Sequence, residues 1–300
     1  MRWVFAALAL GAVAFSLHPG GRARGSMVGR KLLGHSDLSW TETAVRLAPR
    51  ALQDSLRSRL GFTATPWART LDYSIDLGEL PRLKYDIYYG PTPNVTRLDC
   101  HYSVLQAGHT PHPPHLHDDE EIIIPIRGEV DIIRVGDGDG ERAERAGPGD
   151  LVYHAPNQAH TIHAAGPEPS AYLVLRWAAG ENMGGAPAAS SVFALQQAME
   201  NDLTLLEERR KTVLFEFPTP HLARLHCHLT TLKPGAGSAP HRNDHDVALV
   251  VLRGSIETLN QTFAAPAVAF HPALTVHSAR NAGSSPAQYL AIEFHDRVRY

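Results

Sequence analysis

Apolar and polar side chains alternate along 97–105 (RLDCHYSVL) and again along 224–232 (RLHCHLTTL), with aromatic and β-branched residues among them. A period of two predicts β-strands. Gly and Pro clusters at 111–114, 136–140, 147–149 and 234–237 break the chain at short intervals, which predicts an all-β architecture. Helical patterns are confined to two stretches, 41–60 and 190–211. In the second, Glu207 and Lys211 stand four apart, as an intrahelical ion pair requires. A Gly/Ala/Ser-rich linker, AAGENMGGAPAASS, leads into it.

The N-terminus follows a different pattern. One basic residue, Arg2, precedes an apolar stretch from Trp3 to Phe15, about the length of a signal-peptide core and too short to span a bilayer. The chain then stays free of acidic residues up to Asp37 and carries Arg22, Arg24, Arg30 and Lys31. This predicts export through a secretory route and a mature protein that does not span a membrane. The acid-free segment resembles the second half of the bipartite leaders of complex-plastid algae, which gives a plastid as the narrower destination.

Comparison of the chain with itself fixes equivalent positions. At an offset of 127, PTPNVTRLDCHYSVLQAG (91–108) meets PTPHLARLHCHLTTLKPG (218–235) with nine identities in eighteen. The register resumes at Gly128 and Gly254, and at AYLVLRW (171–177) beside QYLAIEF (288–294). Each copy spans roughly 85 residues, a small domain.

Composition narrows the partner. Net charge is −3, with 28 basic and 31 acidic residues, so no basic footprint for nucleic acid exists and a small molecule is the expected ligand. Cys100 and Cys227 are too few for a disulfide framework and read as buried thiols. Histidine is abundant, 18 in all, and dense between His101 and His163.

Within that region His115 and His117 are two apart on an expected strand, so both leave one face and can bind one ion. Glu121 lies four further on, again in even register, and offers a carboxylate; Glu120 is in odd register. His160, from a distant strand, is the expected fourth donor. Three imidazoles and a carboxylate leave two positions open on an octahedral ion.

These residues resemble the cupin superfamily, whose first motif runs Gly, five residues, His, any residue, His, three or four residues, Glu, six residues, Gly. His115, His117, Glu121 and Gly128 fit that spacing, while Gly108 stands one residue too far away. The second motif is similar to Gly149, Asp150 and then APNQAH, with Ala155 in place of the usual Pro, Asn157 in place of the usual Gly, and His160 at the ligand position. The resemblance implies an all-β fold of two tandem cupin barrels (double-stranded β-helix, or jelly roll) with a few peripheral helices. The division expected is a targeting segment at 1–36, a helical and extended segment at 37–84, a metal-binding barrel at 85–178, a linker and helix at 179–212, and a second barrel at 213–300.

In the second copy Asn243 replaces His117 and Val247 replaces Glu121, leaving His241 and His277. One divalent transition metal per chain is therefore expected, Fe or Mn first and Zn or Ni as alternatives; a three-histidine site using His245 is the competing reading of the second barrel. His109, His112, His154 and His163 are candidates for orienting a ligating imidazole. No catalytic residue is assigned, but Tyr102 and Tyr153 are candidate acid/base or anchoring groups and Arg176 a candidate carboxylate fork. The expected function is a metal-dependent enzyme, a dioxygenase or a non-oxidative decarboxylase, lyase or isomerase, acting on a small organic acid or other metabolite. A non-catalytic ligand-binding or storage protein is the alternative, and exposed strand edges make a homo-oligomer plausible.

Overall fold

The computed structural model describes residues 65–136, 140–179, 189–204 and 207–295. The expected leader and the helical pattern at 41–60 lie outside the described residues. The first half contains β1 (Trp67–Thr70), β2 (Arg82–Gly90), β3 (Arg97–Leu105), β4 (Glu120–Arg127), β5 (Val130–Gly136) and β6 (Gly140–Ala146). There follow β7 (Leu151–His154), β8 (Ala159–Ala164), β9 (Ser170–Ala178), β10 (Ser191–Phe193) and helix α1 (Gln196–Leu203). The second half contains β11 (Arg209–Phe217), β12 (Arg224–Leu232), β13 (Asp246–Arg253) and β14 (Ser255–Thr258). It ends with β15 (Gln261–Ala264), β16 (Ala267–His271), β17 (Arg280–Asn281) and β18 (Ala287–His295). Among the described residues no helix is long and apolar enough to cross a membrane.

Each half is a barrel made of one large and one small antiparallel sheet. The first barrel orders its large sheet β10-β7-β4-β9-β3-β2 and its small sheet β6-β5-β8; the second orders them β1-β16-β13-β18-β12-β11 and β15-β14-β17. The inner run β7-β4-β9-β3-β2 thus has the same order as β16-β13-β18-β12-β11. Strand β1, ahead of the first barrel in sequence, pairs with β16 of the second. The helix pattern at 190–211 shrinks to α1, because Lys211 is drawn into β11 opposite Thr230, and Glu207 meets Arg210 at 3.7 Å instead.

Both faces of the large sheets are covered, which is why β4 (EEIIIPIR) and β13 (DVALVVLR) read as near-continuous apolar runs and not as alternations. One face lines its own barrel. The other enters an apolar cluster shared by both halves, with Leu98, Cys100 and Trp177 from one and Leu225, Cys227 and Phe294 from the other. The two cysteines are buried and free, as expected. Polar contacts across this boundary are reciprocal: Thr92 and the Asn94 amide donate to Asp246, while Thr219 Oγ1 donates to Glu120 at 2.9 Å. Glu120, in odd register, therefore faces the other barrel and is no ligand candidate. Gly128 and Gly254, matched in the repeat, have φ of +67° and +73°, and a Cβ at either would meet main-chain atoms at 3.0 Å or less.

Candidate metal centre

Residues 115–117 do not belong to a regular strand, contrary to expectation; β4 begins only at Glu120. Pro111, Pro113 and Pro114 lack the N–H groups a ladder needs. His115 instead forms an isolated two-bond bridge with His160, 3.0 Å in each direction, and this bridge pins the two distant motifs together.

The four expected ligands converge. Ring nitrogens of His115, His117 and His160 all lie within 4.8 Å of one another. Glu121 Oε1 is 3.5 Å from His160 Nε2, and its Oε2 is 3.9 Å from His117 Nε2. His117 donates Nδ1–H to the Asp119 carbonyl at 3.0 Å, and His160 donates Nδ1–H to the Gln158 carbonyl at 2.8 Å. These bonds fix the tautomers and leave Nε2 of each ring free toward the centre. His117 Nε2 is buried without a hydrogen-bond partner, the state of a donor atom that awaits an ion. The residues present thus fit a divalent transition metal.

Electrostatics point the same way. Burial holds the His117 imidazole below its ordinary value, and burial with the neighbouring His112, His160 and His117 rings pulls His115 down to about 4, so both are neutral at pH 7. Burial would lift the Glu121 carboxyl, but His160, His154 and His117 hold it well below the usual range. Burial likewise opposes a charge on His160, yet the Glu121 carboxylate raises it.

The centre opens into a cavity of about 370 Å³. Strands β2, β3 and β9 add Arg82, Lys84, Asp99 and Arg176 to its lining, Arg176 directly across from Glu121 in the sheet register. Arg176 bonds Asp99 at 3.2 Å and approaches Asp119 at 3.3 Å. Asp99 and His101 share the inward face of β3, 3.0 Å apart. Period-two parity in RLDCHYSVL puts both on one face, but nothing in the sequence said that this face would meet the ligands.

The same parity removes two candidates. Tyr102 points away from the cavity into a tyrosine cluster with Tyr73 and Tyr85. Tyr153 donates to Glu120 at 3.2 Å and lies edge-on to Phe217, on the face toward the second barrel. Arg176 does line the cavity. The expected orienting histidines are corrected for two of the rings, since main-chain carbonyls take that role at His117 and His160. His154 stacks on His160 with ring centroids 4.0 Å apart, His112 lies edge-on to His115 at 4.2 Å, and His163 bonds Thr110.

Asn157 keeps the second-motif turn despite replacing Gly: its φ is 59°, which Asn tolerates, and its N–H donates to the His117 carbonyl at 2.7 Å. In the second barrel Leu274 occupies the equivalent turn at φ 64°, its N–H on the Asn243 carbonyl at 2.6 Å. A leucine side chain is strained there and, at 70 % exposure, gains no burial. Leu274→Asn is expected to stabilise the protein by about 1 kcal/mol, read as a raised urea midpoint.

In the second barrel His241 and His277 form the matching bridge, rings 4.5 Å apart. Asn243 and Val247 leave that place without its other donors; Asn243 Nδ2 lies 3.4 Å from His277 Nε2. His245 does not join them. It lies before β13 in an irregular stretch where strand parity fails, and its Nε2 faces Glu293 Oε2 at 3.3 Å.

Residues 101–176 match the Cupin domain family. No curated protein matches the chain in sequence. Solved structures with the same fold include a putative glyoxylate induced protein from Pseudomonas aeruginosa (13% identity, 73% of this chain and 83% of that one, TM-score 0.55). A salicylate 1,2-dioxygenase from Pseudaminobacter salicylatoxidans (14%, 77% and 84%, 0.55) is similar as well. So is a Lactobacillus farciminis oxalate decarboxylase in its formate complex (14%, 77% and 87%, 0.54). Residues 101–176 are thus a cupin domain, and with the same strand order repeated in the second barrel the chain has the all-β fold of two tandem cupin barrels.

Proposed function

We propose that this protein is a metal-dependent enzyme whose first barrel acts on a small organic acid. The observation that carries the reading is the convergence of His115, His117, Glu121 and His160 at a cavity that Arg82, Lys84 and Arg176 also line. One ion, iron or manganese, would bind there and polarise a coordinated substrate oxygen. Arg82 and Arg176 would orient the acid: Arg82 Nε is buried without a hydrogen bond, and a guanidinium fork matches a carboxylate. Lys84, bonded to Asp86 at 2.9 Å, adds positive charge to the same lining. Ile123, Ile162 and Val174 exclude water around the reacting atoms. Salicylate and oxalate, in the names of two structural neighbours, are both carboxylates, in keeping with this substrate class. The sequence repeat and the matched strand orders support an origin of the two barrels by internal duplication.

The test uses the full chain reconstituted with Fe(II) or Mn(II), a panel of small carboxylic acids and an oxygen electrode. Product with matching oxygen uptake assigns a dioxygenase. Product without uptake assigns the non-oxidative branch. Tight binding of an acid with no turnover under either metal would overturn the enzymatic reading in favour of a ligand-binding protein.

A further inference from the structure

The second barrel carries a group of imidazoles and one carboxylate that the cupin motifs do not account for. His226 and His228 are two apart on β12 and share its inward face. Glu293 comes from the neighbouring strand β18, opposite His226 in register. His226 Nε2 is 3.1 Å from His228 Nδ1, which is 3.7 Å from Glu293 Oε1. One donor atom from each of the three lies within 4.8 Å of the other two. Donors at ordinary bond lengths around a tetrahedral zinc ion stand about 3.4 Å from one another, so these spacings leave room for an ion with small adjustments.

Each flank of the group is held by an outer partner. Glu216 accepts from His226 Nδ1 at 2.8 Å, which turns Nε2 inward. The second oxygen of Glu293 is hydrogen-bonded to His295 Nε2 at 3.0 Å and lies 3.3 Å from His245 Nε2, which leaves Oε1 toward His228. Carboxylate behind imidazole, and imidazole behind carboxylate, is how metal ligands are oriented.

The first barrel offers an internal control. At the equivalent positions it has Asp99, His101 and Arg176, and there the Arg176 guanidinium bonds Asp99 at 3.2 Å. The first barrel thus places its own cation beside the acid. In the second the arginine has become Glu293 and the aspartate His226, so the guanidinium beside the acid is gone from this strand and two metal-binding side chains have appeared. Arg209 and Lys211 line the same cavity and are the competing cations, yet among the described residues the ion-pair contacts of Glu293 are all to imidazoles.

We infer that the second barrel binds its own divalent ion of the imidazole-preferring, zinc-like class on His226, His228 and Glu293, displaced from the His241/His277 position of the cupin motif. The site is independent of the one in the first barrel, and its failure would leave that reading intact.

The full chain is stripped with chelator, dialysed against Zn2+ alone and analysed for bound metal. Wild type is expected to hold two zinc ions and the His115→Ala/His117→Ala variant one. Adding Glu293→Gln or His228→Ala to that variant takes it to none, while adding His241→Ala/His277→Ala leaves its one ion in place. The inference is overturned if the His115→Ala/His117→Ala protein holds no zinc, or if Glu293→Gln leaves its ion bound. Loss of that ion on His241→Ala/His277→Ala overturns it equally. Should a barrel-two variant misfold by near-ultraviolet circular dichroism, zinc-edge X-ray absorption of the His115→Ala/His117→Ala protein decides. Two imidazoles per zinc, with the ion retained when His245 and His277 are also replaced by alanine, support the site; one or none, or loss of the ion in that variant, refutes it.

Discussion

His117→Ala protein is expected to purify folded but with its first-barrel ion lost and its activity abolished. The residue supplies Nε2, buried and without any other partner, to the ligand cluster. Removing an outer-shell group from a metal site typically weakens binding 10–100-fold, so deleting a ligand outright is expected to weaken it by more than about 100-fold. The fold should survive because residue 117 lies in an irregular segment outside the apolar clusters. His115→Ala should behave in the same way. Elemental analysis and circular dichroism of each purified variant check this, and full loading of the first site in either would refute the ligand assignment. Loading of the wild type should weaken as pH falls. His160 is raised above the ordinary imidazole value by Glu121, so below neutrality a proton competes for the nitrogen that the ion needs.

The second large effect is on stability. Trp177→Ala is expected to cost 3–5 kcal/mol, the range for deleting a large buried aromatic side chain. Trp177 is fully buried and lies edge-on to Phe294 with centroids 5.1 Å apart. Because that pair joins the large sheet of one barrel to that of the other, the loss should appear in the unfolding of both. Urea denaturation followed by fluorescence and by circular dichroism provides the check. A cost below about 1 kcal/mol, or a change confined to one barrel, would show that the shared cluster does not couple them.

The Trp177 result bears on the metal site as well. Trp177 stands next to Arg176 on β9, its ring in the shared core while the guanidinium faces the cavity. The alternation of a strand thus ties the inter-barrel packing to the cavity lining. A folded Trp177→Ala protein with altered acid binding would be a consequence of that geometry.

The repeat, the all-β class and the candidate ligands His115, His117 and Glu121 were legible in the chain because each rests on local spacing, whereas His160 entered from a distant second motif by resemblance. Even spacing grouped His115, His117 and Glu121, and matched copies expose Asn243 and Val247 standing where donors were lost. Spacing also misled where its premise failed: prolines keep 115–117 off a strand, and β11 takes Lys211 out of an apparent helix.

The tertiary structure alone decided which surfaces face each other. Alternation shows that Tyr102 and His101 point to opposite sides of β3, but not which side is the cavity and which the core between barrels. It could not place Glu120 against Thr219, nor β1 in the sheet of the second barrel. Nor could it bring Glu293 to His226 and His228. Those pairings join residues dozens to more than a hundred positions apart. They are set by sheet closure and by the burial of one large sheet against another, and neither leaves a mark on the neighbouring sequence.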